Sequence, residues 1–118
     1  MSYPVGRLLR VVLPADEPRP DQDLRLLAVE IFEDGVMVRY AKRGGTAGPE
    51  SPEEAALMRN GVTLSDDVGT RYEVRGGSAA GDDQVAHGLW AYAPPPPPEA
   101  RRLTALTWQG PVDFQVID

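Results

Sequence analysis

The chain carries one histidine, no cysteine and 18 acidic residues, so any catalytic or metal chemistry must be built from His87 and carboxylates. His87 lies among Val85, Leu89 and Ala91. A nucleophilic triad would need a serine and an acid held around it at fixed geometry, and a zinc site would need further nitrogen or sulfur ligands. Neither set is encoded beside it, and a histidine within an alternating apolar run reads first as a surface or rim residue. No catalytic residue is assigned, and the chain is expected not to be an enzyme.

The carboxylates come in runs: Asp16-Glu17, Asp21 and Asp23, Asp66-Asp67, and Asp82-Asp83. Calcium takes carboxylate and carbonyl oxygens from loops, so acidic loop tips suggest a small-ligand or calcium-binding β-sandwich as a second reading. The spaced D-x-D-x-D-G pattern of a helix–loop–helix site is absent. Aspartates at turn starts more often accept hydrogen bonds from their own backbone. Nothing in the sequence sets two carboxylates across a cleft for glycoside hydrolysis. Gly44-Gly45 and Gly76-Gly77-Ser78 fit neither phosphate-binding fingerprint, lacking the following lysine and helix, and read as loops. No metal site and no cofactor is implied.

A net charge of −6 repels duplex nucleic acid and membrane surfaces, and no Lys/Arg cluster exceeds a pair. Eleven of the 12 basic residues are arginine, which speaks of codon usage and not of chemistry. The apolar run Leu8 to Leu13 is broken by Arg10 and stopped by Pro14. It is too short for a leader core or a membrane span, so the cytoplasm is the expected compartment. At 118 residues the chain has the size of one domain, taken as 1–118.

Positioning falls to strands. Leu9, Val11 and Leu13 alternate, so residues 7–13 read as a first strand. Pro14 to Asp23 is a loop. Leu24–Glu33 and Val36–Lys42 flank Asp34-Gly35, a type I′ hairpin signal. That turn sets Ile31 opposite Val38 and Val29 opposite Tyr40. One face then collects Leu27, Val29, Ile31, Val36, Val38 and Tyr40, and Glu30 pairs with Arg39 on the other. Gly44-Gly45 and Gly48-Pro49 are breakers. Ser51-Pro52-Glu53-Glu54 resembles a helix start, so a short helical turn near 52–58 or an irregular connection is expected.

A second hairpin is expected over Gly61–Arg75, with an Asp67-Val68-Gly69 loop and Leu64 opposite Tyr72. Gly76 to Asp83 reads as a loop. Gln84–Ala93 is a strand with Gly88, Trp90 and Tyr92 on one face. Pro94–Pro98 ends it, as a stiff connection or a polyproline ligand. Arg102–Trp108 and Val112–Ile117 form a last pair. Seven to eight strands with frequent turns indicate an all-β, two-sheet antiparallel β-sandwich.

The second half carries Leu64-Ser65-Asp66-Asp67-Val68-Gly69-Thr70-Arg71-Tyr72, Gly76-Gly77, Gly88-Leu89-Trp90-Ala91-Tyr92-Ala93-Pro94 and Leu103-Thr104-Ala105-Leu106. Over roughly 24–118 this resembles small uncharacterised immunoglobulin-like β-sandwich proteins of actinobacteria. The resemblance implies the sandwich and no activity.

Several strands are apolar on both faces. Leu89 opposes Trp90, Leu106 and Trp108 oppose Leu103 and Ala105, and Ile117 opposes Val116. If Leu89, Leu106 and Trp108 form one patch, it is a partner-binding surface, for another protein or for self-association. The leading expectation is a non-enzymatic protein-interaction or structural module.

Overall fold

The computed structural model describes residues 4–17, 20–43 and 51–116. Its elements in chain order are β1 (Leu8–Val12), β2 (Leu24–Phe32), β3 (Gly35–Arg43), α1 (Pro52–Asn60), β4 (Thr63–Asp66), β5 (Glu73–Gly81), β6 (Val85–Ala93), β7 (Arg102–Thr107) and β8 (Gly110–Gln115). They form a five-stranded antiparallel sheet, β1-β2-β3-β6-β5, and a three-stranded antiparallel sheet, β4-β7-β8. One buried cluster joins Val29, Val36, Val38 and Tyr92 of the first sheet to Leu64, Leu103 and Phe114 of the second. This is the all-β two-sheet sandwich expected.

The first hairpin forms, but its turn residues are Glu33-Asp34 and not Asp34-Gly35, because Phe32 faces Gly35 and Ile31 faces Val36. Among the described residues none other than glycine has a positive φ, so a type I′ turn is not used. Gly35 is needed inside the strand instead, where a Cβ would run into the Tyr92 carbonyl. The slip is by two in the pairing sum, so Val29, Ile31, Val36, Val38 and Tyr40 keep the buried face. A bulge between Leu26 and Ala28 then reverses the end of β2. Leu26 is buried and Leu27 is 42% exposed, opposite to the alternation expected. Glu30 and Arg39 still form an ion pair, now on a diagonal.

Ser51 caps α1, its hydroxyl accepting from the Glu54 N–H at 3.1 Å, with Pro52 in the first turn. Gly61 closes the helix at φ 84°, its N–H reaching the Leu57 carbonyl. The breakers Gly44-Gly45 and Gly48-Pro49 lie outside the described residues, as does Ile117.

The Gly61–Arg75 hairpin does not form. β4 pairs with β7 and β5 pairs with β6, so Leu64 faces Ala105 and Val74 faces Tyr92. The chain between β4 and β5 changes sheets, and Gly69 supplies the positive φ of that corner. Gly76 to Gly81 is not a loop either, since it continues β5 as an edge strand. Two rings explain this. Tyr40 lies over its cross-strand neighbour Gly88, and Trp90 lies over its own, Gly77, where a Cβ would stand 3.2 Å from the indole. The rings stack on each other at 4.1 Å. The Tyr40 ring occupies the place of a Cβ at Gly88, the indole and the Leu89 carbonyl crowd one at Gly77, and the Val85 carbonyl across the β5–β6 turn excludes one at Gly81. Pro94 to Pro98 connects β6 to β7 and so joins the two sheets.

Lys42 at the end of β3 and Glu54 in α1 are both 7% exposed, and their charges meet at 3.1 Å. This pair, with the Trp90 indole N–H donating to the Met58 carbonyl, ties α1 to the five-stranded sheet. Glu54→Gln and Lys42→Met should each lower stability by about 3–5 kcal/mol, because each strands a buried charge or its polar partner. The double variant Lys42→Met/Glu54→Leu should recover most of that loss in a urea titration.

Candidate interaction surface

Aspartate side chains act in this molecule as backbone fasteners. Asp66 ends β4, and one of its oxygens accepts from the Val68 and Thr70 N–H groups, both at 3.0 Å. Its other oxygen accepts from the Tyr72 hydroxyl at 2.8 Å. Partial burial works to raise this carboxyl, but the hydrogen bonds from Thr70, Tyr72 and Val68 together outweigh it and hold it down to about 2. Burial, and then the Asp66 carboxylate, push the Tyr72 phenol up. Asp67 accepts from the Arg101 and Arg102 N–H groups, pinning the start of β7, and these bonds lower its carboxyl. Asp82 accepts from Gln84 and Val85 in the β5–β6 turn and is lowered by them. Asp34 accepts from Val5 and Gly6, which lower it likewise.

These carboxylates already serve the backbone, as expected of aspartates at turns. Among the described residues, no three His, Cys, Asp or Glu side chains converge as a metal site. Asp16, Glu17, Gln22 and Asp113 line a cavity of about 260 Å³ beside the β7–β8 turn. Asp113 is held there by the Thr104 hydroxyl at 2.7 Å.

The sequence passes over Gln109, although it does most to fix this end. Its side-chain carbonyl accepts from the Asp23 and Leu24 N–H groups, and its amide donates to the Leu24 carbonyl at 2.8 Å. A turn glutamine used as a cross-sheet clamp leaves no periodic signal.

The three residues expected to form one patch do not. Leu106 and Trp108 share a groove with Leu57 and Ala56 of α1. Leu89 borders a separate depression on the five-stranded sheet, with Leu27, Arg39 and His87. Leu106 is 52% exposed, whereas Trp108 packs partly against the core cluster. His87 is exposed on β6, and Ser78 borders the same depression, but no carboxylate lines it.

Among the described residues, the longest run of exposed apolar side chains is elsewhere, on β1 and the residue just past it. Leu8, Leu9, Val11 and Leu13 are 44%, 53%, 52% and 68% exposed, and only Val12 points into the core. The alternation of Leu9, Val11 and Leu13 does mark a strand, but its apolar side is left uncovered. β1 is an edge strand paired on one side only, with β2. Past it, the Ala15 N–H reaches the Asp113 carbonyl and Pro14 bridges to Phe114, so the chain crosses to the other sheet and leaves β1 open. Alternation cannot reveal an edge, because it reports faces and not neighbours.

No helix among the described residues is long and apolar enough to cross a membrane. Comparison of the chain with protein-family models, curated proteins and solved structures gives no match.

Two outcomes follow from this geometry. Because the Asp66 carboxyl is depressed from 3.8 to about 2, its stabilisation is complete above about pH 4 and is lost as the pH falls toward 2. Asp66→Asn should flatten stability against pH across that window, as followed by thermal melts. Trp108→Ala should cost about 2 kcal/mol, less than a fully buried tryptophan, and keep the native spectrum.

Proposed function

We propose that this chain is a non-enzymatic interaction module of immunoglobulin-like build that binds a partner protein along β1. The observation carrying it is the edge itself. An edge strand paired only with β2, with Leu8, Leu9 and Val11 exposed on it and Leu13 exposed just past it, offers both a backbone ladder and side-chain anchors. Edges of this kind are normally blunted by charge, proline or bulges, and β1 has one charge, Arg10, and one bulge between Leu8 and Arg10. A partner adding an extended segment would gain main-chain hydrogen bonds along β1 and cover the exposed leucines and valine.

The immunoglobulin-like reading is supported by strand order. β2-β3-β6-β5 follows the A-B-E-D order of one sheet of that fold, and β4-β7-β8 follows C-F-G of the other. In this correspondence β1 is an additional strand outside the common set, added where the partner would dock. The likeness to actinobacterial proteins of this kind rests on the motifs at 64–72, 88–94 and 103–106.

A photo-crosslinking side chain at Val11 should give a discrete protein adduct in extracts, and the same group at Arg101 should not. Leu9→Lys in the Val11 crosslinking background should abolish the adduct. Equal background from both positions would remove the β1 reading.

A further inference from the structure

We propose that the space beneath the last turn of α1 binds a small organic carboxylate, held by Arg59 at one end and by the Tyr40 hydroxyl at the other. The site lies on the helix side of the five-stranded sheet and does not depend on the β1 reading.

Met58 and Arg59 of α1 stand over the sheet and enclose, with Tyr40, Val74, Ser78 and Trp90, a cavity of about 280 Å³. That is room for a molecule of one ring. Met58, Val74 and Trp90 give it apolar walls. The Met58 carbonyl, which would repel an anion, accepts from the indole N–H.

Two donors on this cavity lack partners. Tyr40 is 3% exposed, and its ring is stacked on Trp90. Its hydroxyl end lies against Gly88, close to the Ser78 carbonyl in the cavity wall. Among the described residues that hydroxyl has no hydrogen-bond partner, and burial pushes the phenol up with no bond to offset it. Tyr72 and Tyr92, by contrast, donate to the Asp66 carboxylate and the Val62 carbonyl. A buried hydroxyl left unsatisfied costs stability, so one kept in a cavity wall marks a group that meets something else there. The second donor is Arg59, exposed in the last turn of α1 and without an ion pair among the described residues. It is the one charged residue lining the cavity. A chain of net charge −6 thus presents a single unpaired cation here. A guanidinium only donates, so the ligand must bring an anionic acceptor to Arg59 and a second oxygen to Tyr40, on an apolar body between them.

NMR titration of the isotope-labelled full chain with para-hydroxyphenylacetate, a one-ring carboxylate with an oxygen at its far end, tests this. The Trp90 indole N–H and the Gly77 amide should shift, the Trp108 indole should not, and the dissociation constant should be millimolar. Tyrosol, the neutral alcohol of the same shape, should bind at least about tenfold more weakly, and Arg59→Gln should erase that difference. Tyr40→Phe should weaken para-hydroxyphenylacetate about threefold and leave phenylacetate, which lacks the far oxygen, unaffected. The same variant should melt no lower than the parent chain, because it removes an unsatisfied group. A lower melting temperature would give the hydroxyl a role inside the fold and overturn the inference. So would the absence of a shift at Trp90, equal binding of tyrosol, or shifts confined to His87 and Leu89 on the opposite face.

Discussion

Two rings lying flat on one sheet set much of this structure. Tyr40 and Trp90 stack at 4.1 Å and cover the backbones of Gly88 and Gly77 on the strands beside them. A side chain at Gly88 would have to displace the buried Tyr40 ring, and one at Gly77 would press on the indole and on the Leu89 carbonyl. The rings therefore crowd Gly88 on β6 and Gly77 on β5, and beyond Arg75 the β5 strand carries nothing larger than serine. The indole N–H also reaches the Met58 carbonyl, so the same ring that crowds Gly77 holds α1 in place. Core packing and helix docking are linked through one contact.

Much of the fold was legible and the topology was not. Alternation located every strand but β5's second half, and Ser51-Pro52-Glu53-Glu54 marked the helix start. The hairpins were legible only where chain neighbours are also sheet neighbours. β2–β3 and β7–β8 satisfy this, and β4–β5 does not, since those strands belong to different sheets. A loop of the right length looks the same in either case. Gly76 to Gly81 was misread because glycine signals a turn, as Gly81 does, and equally a packing site under a ring, as Gly77 does. The two causes leave the same letters in the sequence.

The functional surface was less legible still. Leu106 and Trp108 do share a groove, but Leu89 is on the other sheet, a separation that only the strand order reveals. β1 was found as a strand and missed as a surface. Its exposure follows from Pro14 and Ala15 turning away to bond β8, a long-range event. The acids were read correctly at Asp66 and Asp82, because an aspartate two residues before a free N–H is a local matter. Asp67 and Gln109 bind backbone far along the chain, and no local pattern announces them.

Lys42 is the only lysine in the sequence, and it is buried against Glu54. No lysine side chain therefore stands ready on the surface for acylation or for conjugation of a modifier protein. The ε-amine meets an acylating reagent only when its buried contact with Glu54 opens. Its rate of acylation is thus a clock on that local opening, readable at one atom without any engineered probe.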